Sequence, residues 1–181
     1  TSTIRYTNEN YIDSKKIGIS ENFIFDKLGW WTSTNEMDLN YSAATSNLIF
    51  ITVLKGFNST ASTNNDFNLN KNKTILFNAN YTYVFQSVSG IFNYLPHSSF
   101  SLALQVLLLD KNLKISLRAS DIFRTERERY SSTVNGIQQT GNNYYDNQAI
   151  NLSVSYKFGN KILKVNQRQT GNEEEQKRTG G

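Results

Sequence analysis

The chain has 181 residues, a net charge of +4, one proline and no cysteine, so it has room for one sizeable domain and none for disulfides or thiolate metal sites. Mean hydropathy is −0.52, and no apolar run approaches the roughly 18 residues that a membrane-spanning helix requires. Basic side chains are interspersed with acids, which argues against a nucleic-acid partner.

Residues 3–8 read as a first strand. Residues 17–25 and 30–41 follow as two more, flanking a tight turn at Asp26-Lys27-Leu28-Gly29. Residues 48–69 are expected as one long, irregular strand, interrupted by Gly56 and a Ser/Thr/Asn run, and a polar turn at Asn70-Lys71-Asn72-Lys73 closes it. From there the pattern sharpens. In residues 74–85, Ile75, Phe77, Ala79, Tyr81, Tyr83 and Phe85 share one face, and a longer connection, 86–97, follows. In residues 98–109, Phe100, Leu102, Leu104, Val106 and Leu108 alternate with Ser99, Ser101, Ala103, Gln105 and Leu107. The turn Asp110-Lys111-Asn112 leads to residues 113–123, with Leu113, Ile115, Leu117 and Ala119 against Lys114, Ser116, Arg118 and Ser120. A long polar stretch, 124–148, precedes residues 149–158, where Ile150, Leu152, Val154, Tyr156 and Phe158 alternate with Asn151, Ser153, Ser155 and Lys157.

A period of two means strands with one greasy and one wet face. Such strands suit either an antiparallel sheet over a dry core or a membrane barrel with lipid outside and water within. The connections separate these options: they alternate short and long, which matches the periplasmic turns and extracellular loops of an outer-membrane barrel better than Greek-key crossings. The expected fold is therefore all-β, an antiparallel up-and-down meander of about eight strands forming part of a transmembrane β-barrel. Residues 1–158 make the barrel segment and 159–181 a polar tail too poor in apolar residues to fold alone. Lys114, Gln105, Arg118, Asn151, Ser153 and Lys157 then look into the lumen. The alternative is a soluble or surface-attached β-sandwich or barrel that binds carbohydrate or protein; an envelope enzyme ranks third.

No residue is assigned a catalytic, metal or cofactor role, no cofactor is expected, and no ligand-binding residue is identified. His97 is the sole histidine, placed in a loop after Pro96 with no carboxylate cluster at ligand spacing. Asp121 interrupts an apolar face and reads as a rim residue or bulge where the strand leaves lipid. Arg124, Glu126, Arg127, Glu128 and Arg129 read as a solvated strand extension. Tyr130, Tyr144 and Tyr145 in the long loop are candidates for stacking on a ligand. Trp30, Trp31, Tyr81, Tyr83, Tyr156 and Phe158 would be interfacial girdle residues in a barrel and core residues in a sandwich.

Three short motifs carry a family resemblance: Leu108-Leu109-Asp110-Lys111-Asn112-Leu113, Ser120-Asp121-Ile122-Phe123-Arg124-Thr125 and Ser155-Tyr156-Lys157-Phe158-Gly159. In this order, with Trp30-Trp31 upstream, the chain resembles the carboxy-terminal part of the outer-membrane β-barrel family related to TonB-dependent receptors of Gram-negative bacteria. The resemblance implies a non-enzymatic role in ligand transport or binding at the cell outer membrane. It also implies a larger parent with a plug domain and further barrel strands, and the lipid bilayer, the TonB complex and the barrel-assembly machinery as partners. The strand ending at Phe158 would be the signal that the assembly machinery reads.

Overall fold

The computed structural model describes residues 10, 12–49 and 52–158; the expected strand at 3–8 and the tail at 159–181 lie outside them. Eleven strands follow one another: β1 (Ile12–Leu28), β2 (Trp31–Ser46), β3 (Lys55–Asn68), β4 (Ile75–Val84), β5 (Ser87–Ser89), β6 (Phe92–Tyr94), β7 (His97–Leu108), β8 (Leu113–Ser120), β9 (Glu128–Val134), β10 (Ile137–Asn143) and β11 (Ala149–Tyr156). Seven of them form one antiparallel sheet in the order β1-β2-β3-β4-β7-β8-β11. Among the described residues the sheet is open, with β1 and β11 at its edges.

Register converts the sequence alternation into two faces, because cross-strand partners share a side. Val106, Ile115 and Val154 stand in one row, Leu104, Leu117 and Leu152 in the next, and Leu102, Ala119 and Ile150 in a third. Phe77 and Phe67 continue the Leu104 row onto β4 and β3, where it reaches the short-turn edge of the belt, Phe67 lying one residue from the end of β3. This belt is not a core: among the described residues no hydrophobic side chain is buried, and Ile150, Leu152 and Val154 are 78%, 69% and 63% exposed. A soluble sandwich would have to bury these side chains, so that alternative falls. The greasy face is the one turned to lipid.

Aromatic side chains bracket the belt. Toward the short turns, Trp31 stacks on Phe67 at 6.2 Å and Phe67 meets Phe77 at 5.8 Å. Toward the long loops, Tyr41 meets Phe57 at 5.2 Å, Tyr83 meets Phe85 at 4.7 Å and Phe100 meets Phe123 at 5.5 Å. On β2 and on β3 the two brackets are about ten residues apart, the length a tilted strand needs to cross a bilayer. Amphipathic rings at both levels are the girdles of a membrane barrel.

Between the girdles, β2 and β3 put polar residues on the lipid side, and these satisfy one another. Trp31 Nε1 donates to Asn65 Oδ1 at 3.0 Å, Asn65 Nδ2 to Thr63 Oγ1 at 2.9 Å, and Asn35 Nδ2 to Ser33 Oγ at 3.0 Å. In a hydrocarbon environment an unpaired amide costs several kcal/mol, so internal pairing is what makes the patch tolerable.

The opposite face is wet. Gln105, Ser116 and Ser153 share a row, as do Arg118 and Asn151, and Lys114 pairs with Ser155. Lys157 lies just past β11, its amide bonded to the Asn112 carbonyl at 2.9 Å. On β3 and β4 the same face carries an amide network, with Asn78 Nδ2 donating to Asn64 Oδ1 and Asp66 Oδ1, both at 2.8 Å.

Strand limits differ from those expected. β1 runs on through Leu28, which pairs with Trp31, so the turn is the two residues Gly29 and Trp30. β2 continues to Ser46, and β3 is regular but shorter than 48–69, beginning at Lys55. The backbone ladder there persists although the side-chain alternation does not. β8 stops at Ser120 and β11 at Tyr156. His97 opens β7, opposite Val84, and is not a loop residue. The second turn is built by Asn70, whose Oδ1 accepts the amides of Thr74 at 2.8 Å and Ile75 at 3.2 Å.

Candidate functional site

The two long loops do not stay irregular. Residues 86–96 hold the β5–β6 hairpin, residues 124–148 hold the β9–β10 hairpin, and the two join into a second sheet ordered β10-β9-β6-β5. The local signal for β9–β10 is Asn135-Gly136, both at positive φ (52° and 75°). This is the dipeptide that two-residue hairpin turns favour, because the twist of such turns matches that of the strands. The polar composition of 124–148 by itself predicts a long loop, and the structure folds it into a hairpin. The β6–β9 pairing of Phe92, Asn93 and Tyr94 with Ser132, Ser131 and Tyr130 is non-local and has no sequence signature.

The β5–β6 hairpin folds over the wet face of the main sheet. The Val88 amide donates to Asn58 Oδ1 at 2.6 Å, and the Leu54 amide donates to the Gly90 carbonyl at 2.8 Å. Val88 lies above Gly56, where an added Cβ would stand 3.3 Å from its Cγ2. Beneath the hairpin is a cavity of about 560 Å³. Lys16, Asn40, Ser42 and Asn58 line its floor, and Ser87 and Tyr94 its roof. Asn58 Nδ2 donates to Ser42 Oγ at 2.7 Å and to Asn40 Oδ1 at 3.3 Å. Burial, then Glu128 and the neighbouring Tyr130 and Tyr145, push the Tyr94 phenol above its ordinary value, so it stays a neutral donor and acceptor. The lining offers amides, hydroxyls and the ammonium groups of Lys15 and Lys16, a set able to hold a polar ligand by several directed hydrogen bonds.

The remaining candidates resolve into structural and surface roles. Tyr130 is engaged within the loop sheet, 5.3 Å from Phe92 and 5.8 Å from Tyr94. Tyr144 lies under two guanidinium groups, Arg124 at 4.8 Å and Arg127 at 5.4 Å from its ring centre. Tyr145 is exposed. Asp121 is 1% exposed, at φ 42°, and its Oδ1 accepts the amides of Thr125 at 2.9 Å and Glu126 at 3.2 Å. The rim reading of this residue therefore gains a function: its carboxylate shapes the loop that carries the arginines. His97 Nδ1 is buried without a hydrogen-bond partner among the described residues.

The family model of the outer membrane protein beta-barrel family matches residues 1–156, and the chain belongs to that family. It is thus a β-barrel protein of the outer membrane of Gram-negative bacteria. No curated protein and no solved structure matches.

Proposed function

From its membership of the outer membrane protein beta-barrel family, we propose that the chain is the carboxy-terminal barrel segment of a TonB-dependent-receptor-like protein that binds a polar ligand and moves it across the outer membrane. The observation that carries this reading is the loop sheet roofing a polar face, with a cavity of about 560 Å³ between them. A passive wall segment has no need of a folded roof, whereas a receptor needs recognition surfaces on rigid supports at its outer end. The long loops are taken as extracellular and the short turns as periplasmic. The family resemblance adds a larger parent with further barrel strands. The plug domain, the TonB complex and the barrel-assembly machinery are partners that this reading adds.

The same reading makes the protein a non-enzyme. His97 faces Val84 across the ladder, and among the described residues no group orients its Nδ1 as a general base is oriented.

The test is uptake of fluorescent oligosaccharides and peptides by cells expressing the full-length protein, with and without an uncoupler of the proton-motive force. Accumulation that falls with the uncoupler, and again when Asn58 and Lys16 are replaced by alanine, is the expected result. Accumulation equal to that of cells lacking the protein would overturn the transport reading. A hydrolase panel on the purified protein, with loss of turnover in His97→Ala, would instead establish an enzyme.

A further inference from the structure

We propose that the arginine-lined hollow at the long-loop rim, bordered by Arg124, Arg127 and Arg129, binds the phosphate of a lipid headgroup in the outer leaflet. It rests on the outer-membrane location and not on transport.

The hollow has a volume of about 410 Å³, and the three arginines line it with Tyr83, His97 and Ser98. No carboxylate among the described residues lines it. The partners these guanidinium groups make are neutral. Arg124 and Arg127 rest on Tyr144, Arg127 Nε donates to the Arg124 carbonyl at 3.2 Å, and Arg129 donates to the Pro96 carbonyl at 3.3 Å. Glu128, which alternates with them in sequence, accepts instead from Asn143 at 3.4 Å. Three arginines thus border one hollow with no carboxylate among the described residues lining it. Guanidinium groups match phosphate oxygens in geometry as well as charge.

Position selects a lipid over a dissolved anion. Tyr83 and Ser98 are cross-strand partners, one step along the lipid-facing side from the Tyr81–Phe100 pair. Phe123 stacks on Phe100 with an interplanar angle of 15°, carrying the chain over that outer side immediately before Arg124. The arginines therefore stand just beyond the girdle aromatics, at the depth of headgroup phosphates, with acyl chains able to lie along the belt below. A soluble anion bound for transport belongs over the wet face, beneath the β5–β6 hairpin.

The loop is also preorganised. Asp121 fixes the amides of Thr125 and Glu126, and both Asp121 and Arg124 hold positive φ, 42° and 56°. Little conformational entropy remains to be lost when a phosphate arrives.

The test uses the full-length protein purified in a neutral detergent and titrated with diphosphorylated lipid A, with the same lipid after dephosphorylation, and with inorganic pyrophosphate as competitor. Lipid retention is read by native mass spectrometry. The expected result is at least about tenfold tighter retention of the phosphorylated lipid, lost in the Arg124→Gln/Arg127→Gln/Arg129→Gln variant and kept in a Lys71→Gln/Lys73→Gln control. Heat-modifiable electrophoretic mobility verifies that each variant is folded. Equal retention of both lipids by the wild type overturns the proposal whatever the variants do, as does a folded triple variant that binds like wild type. Displacement by pyrophosphate as effective as by free lipid A would mark a soluble-phosphate site and overturn the lipid assignment.

Discussion

Tyr130 lays its ring over Gly141, its partner across the β9–β10 ladder, so closely that a Cβ at position 141 would collide with the ring carbons and the hydroxyl oxygen. The aromatic covers the backbone that glycine leaves bare, a pairing that pins register in hairpins whose other side chains are polar. It also ties the β9–β10 hairpin to β6, through Phe92 and Tyr94.

Gly141→Ala should therefore loosen the loop sheet by about 1–3 kcal/mol while the barrel strands fold normally. Limited proteolysis within residues 124–148 of the folded protein should run several-fold faster. Adding Tyr130→Ala should relieve much of the clash, so the two substitutions should not be additive. Unchanged cleavage in Gly141→Ala would show that the ring does not sit on the glycine in solution.

The face assignment is tested at two adjacent residues of β7. Leu104 lies mid-belt between Leu117 and Phe77, and Leu104→Arg should cost about 2–4 kcal/mol of folding into lipid vesicles. Gln105 points to the wet face beside Ser116, and Gln105→Arg should be near neutral. Equal costs in a urea titration would mean that the two faces are not lipid and water.

Removing the Asp121 carboxylate strips two amides of their acceptor at a site that water does not reach. Asp121→Ala should cost about 1–3 kcal/mol, whereas Asp121→Asn keeps an oxygen at the same place and should cost less. Hydrogen exchange at the Thr125 and Glu126 amides provides the readout: fast in the alanine variant, slow in wild type and in the asparagine variant.

Phe158 is 88% exposed and makes an edge contact with Tyr156 at 4.5 Å. Among the described residues Tyr156 is the ring that touches it, and under the proposed reading Phe158 is the signal that the insertion machinery recognises. Phe158→Ala in the full-length protein should lower the folded outer-membrane fraction severalfold, measured by heat-modifiable mobility. An unchanged folded fraction would remove the terminal aromatic as a signal.

The membrane sheet was legible wherever side-chain period and backbone ladder coincide. Ile150 to Val154 and Leu113 to Leu117 alternate cleanly, and Phe100 to Leu108 does so apart from Ala103 and Leu107 on the wet face, because each strand there separates lipid from water. In β1 and β2 the alternation breaks at Glu21 and Asn35, yet the ladder continues, so strand ends were misjudged by up to five residues. The β9–β10 turn has a local signal in Asn135-Gly136, which the polar composition around it masks.

The chain's own residues thus determined which positions of β7, β8 and β11 meet lipid and the neighbourhood of each short turn, since both depend on neighbours two to four residues apart. Only the tertiary structure decided that Tyr94 pairs with Tyr130, that Val88 roofs Asn58, and that Arg124 and Arg127 meet over Tyr144. Those contacts join segments whose separation along the chain leaves no periodic trace, and loop closure between them is set by the barrel strands that hold the loop ends in place.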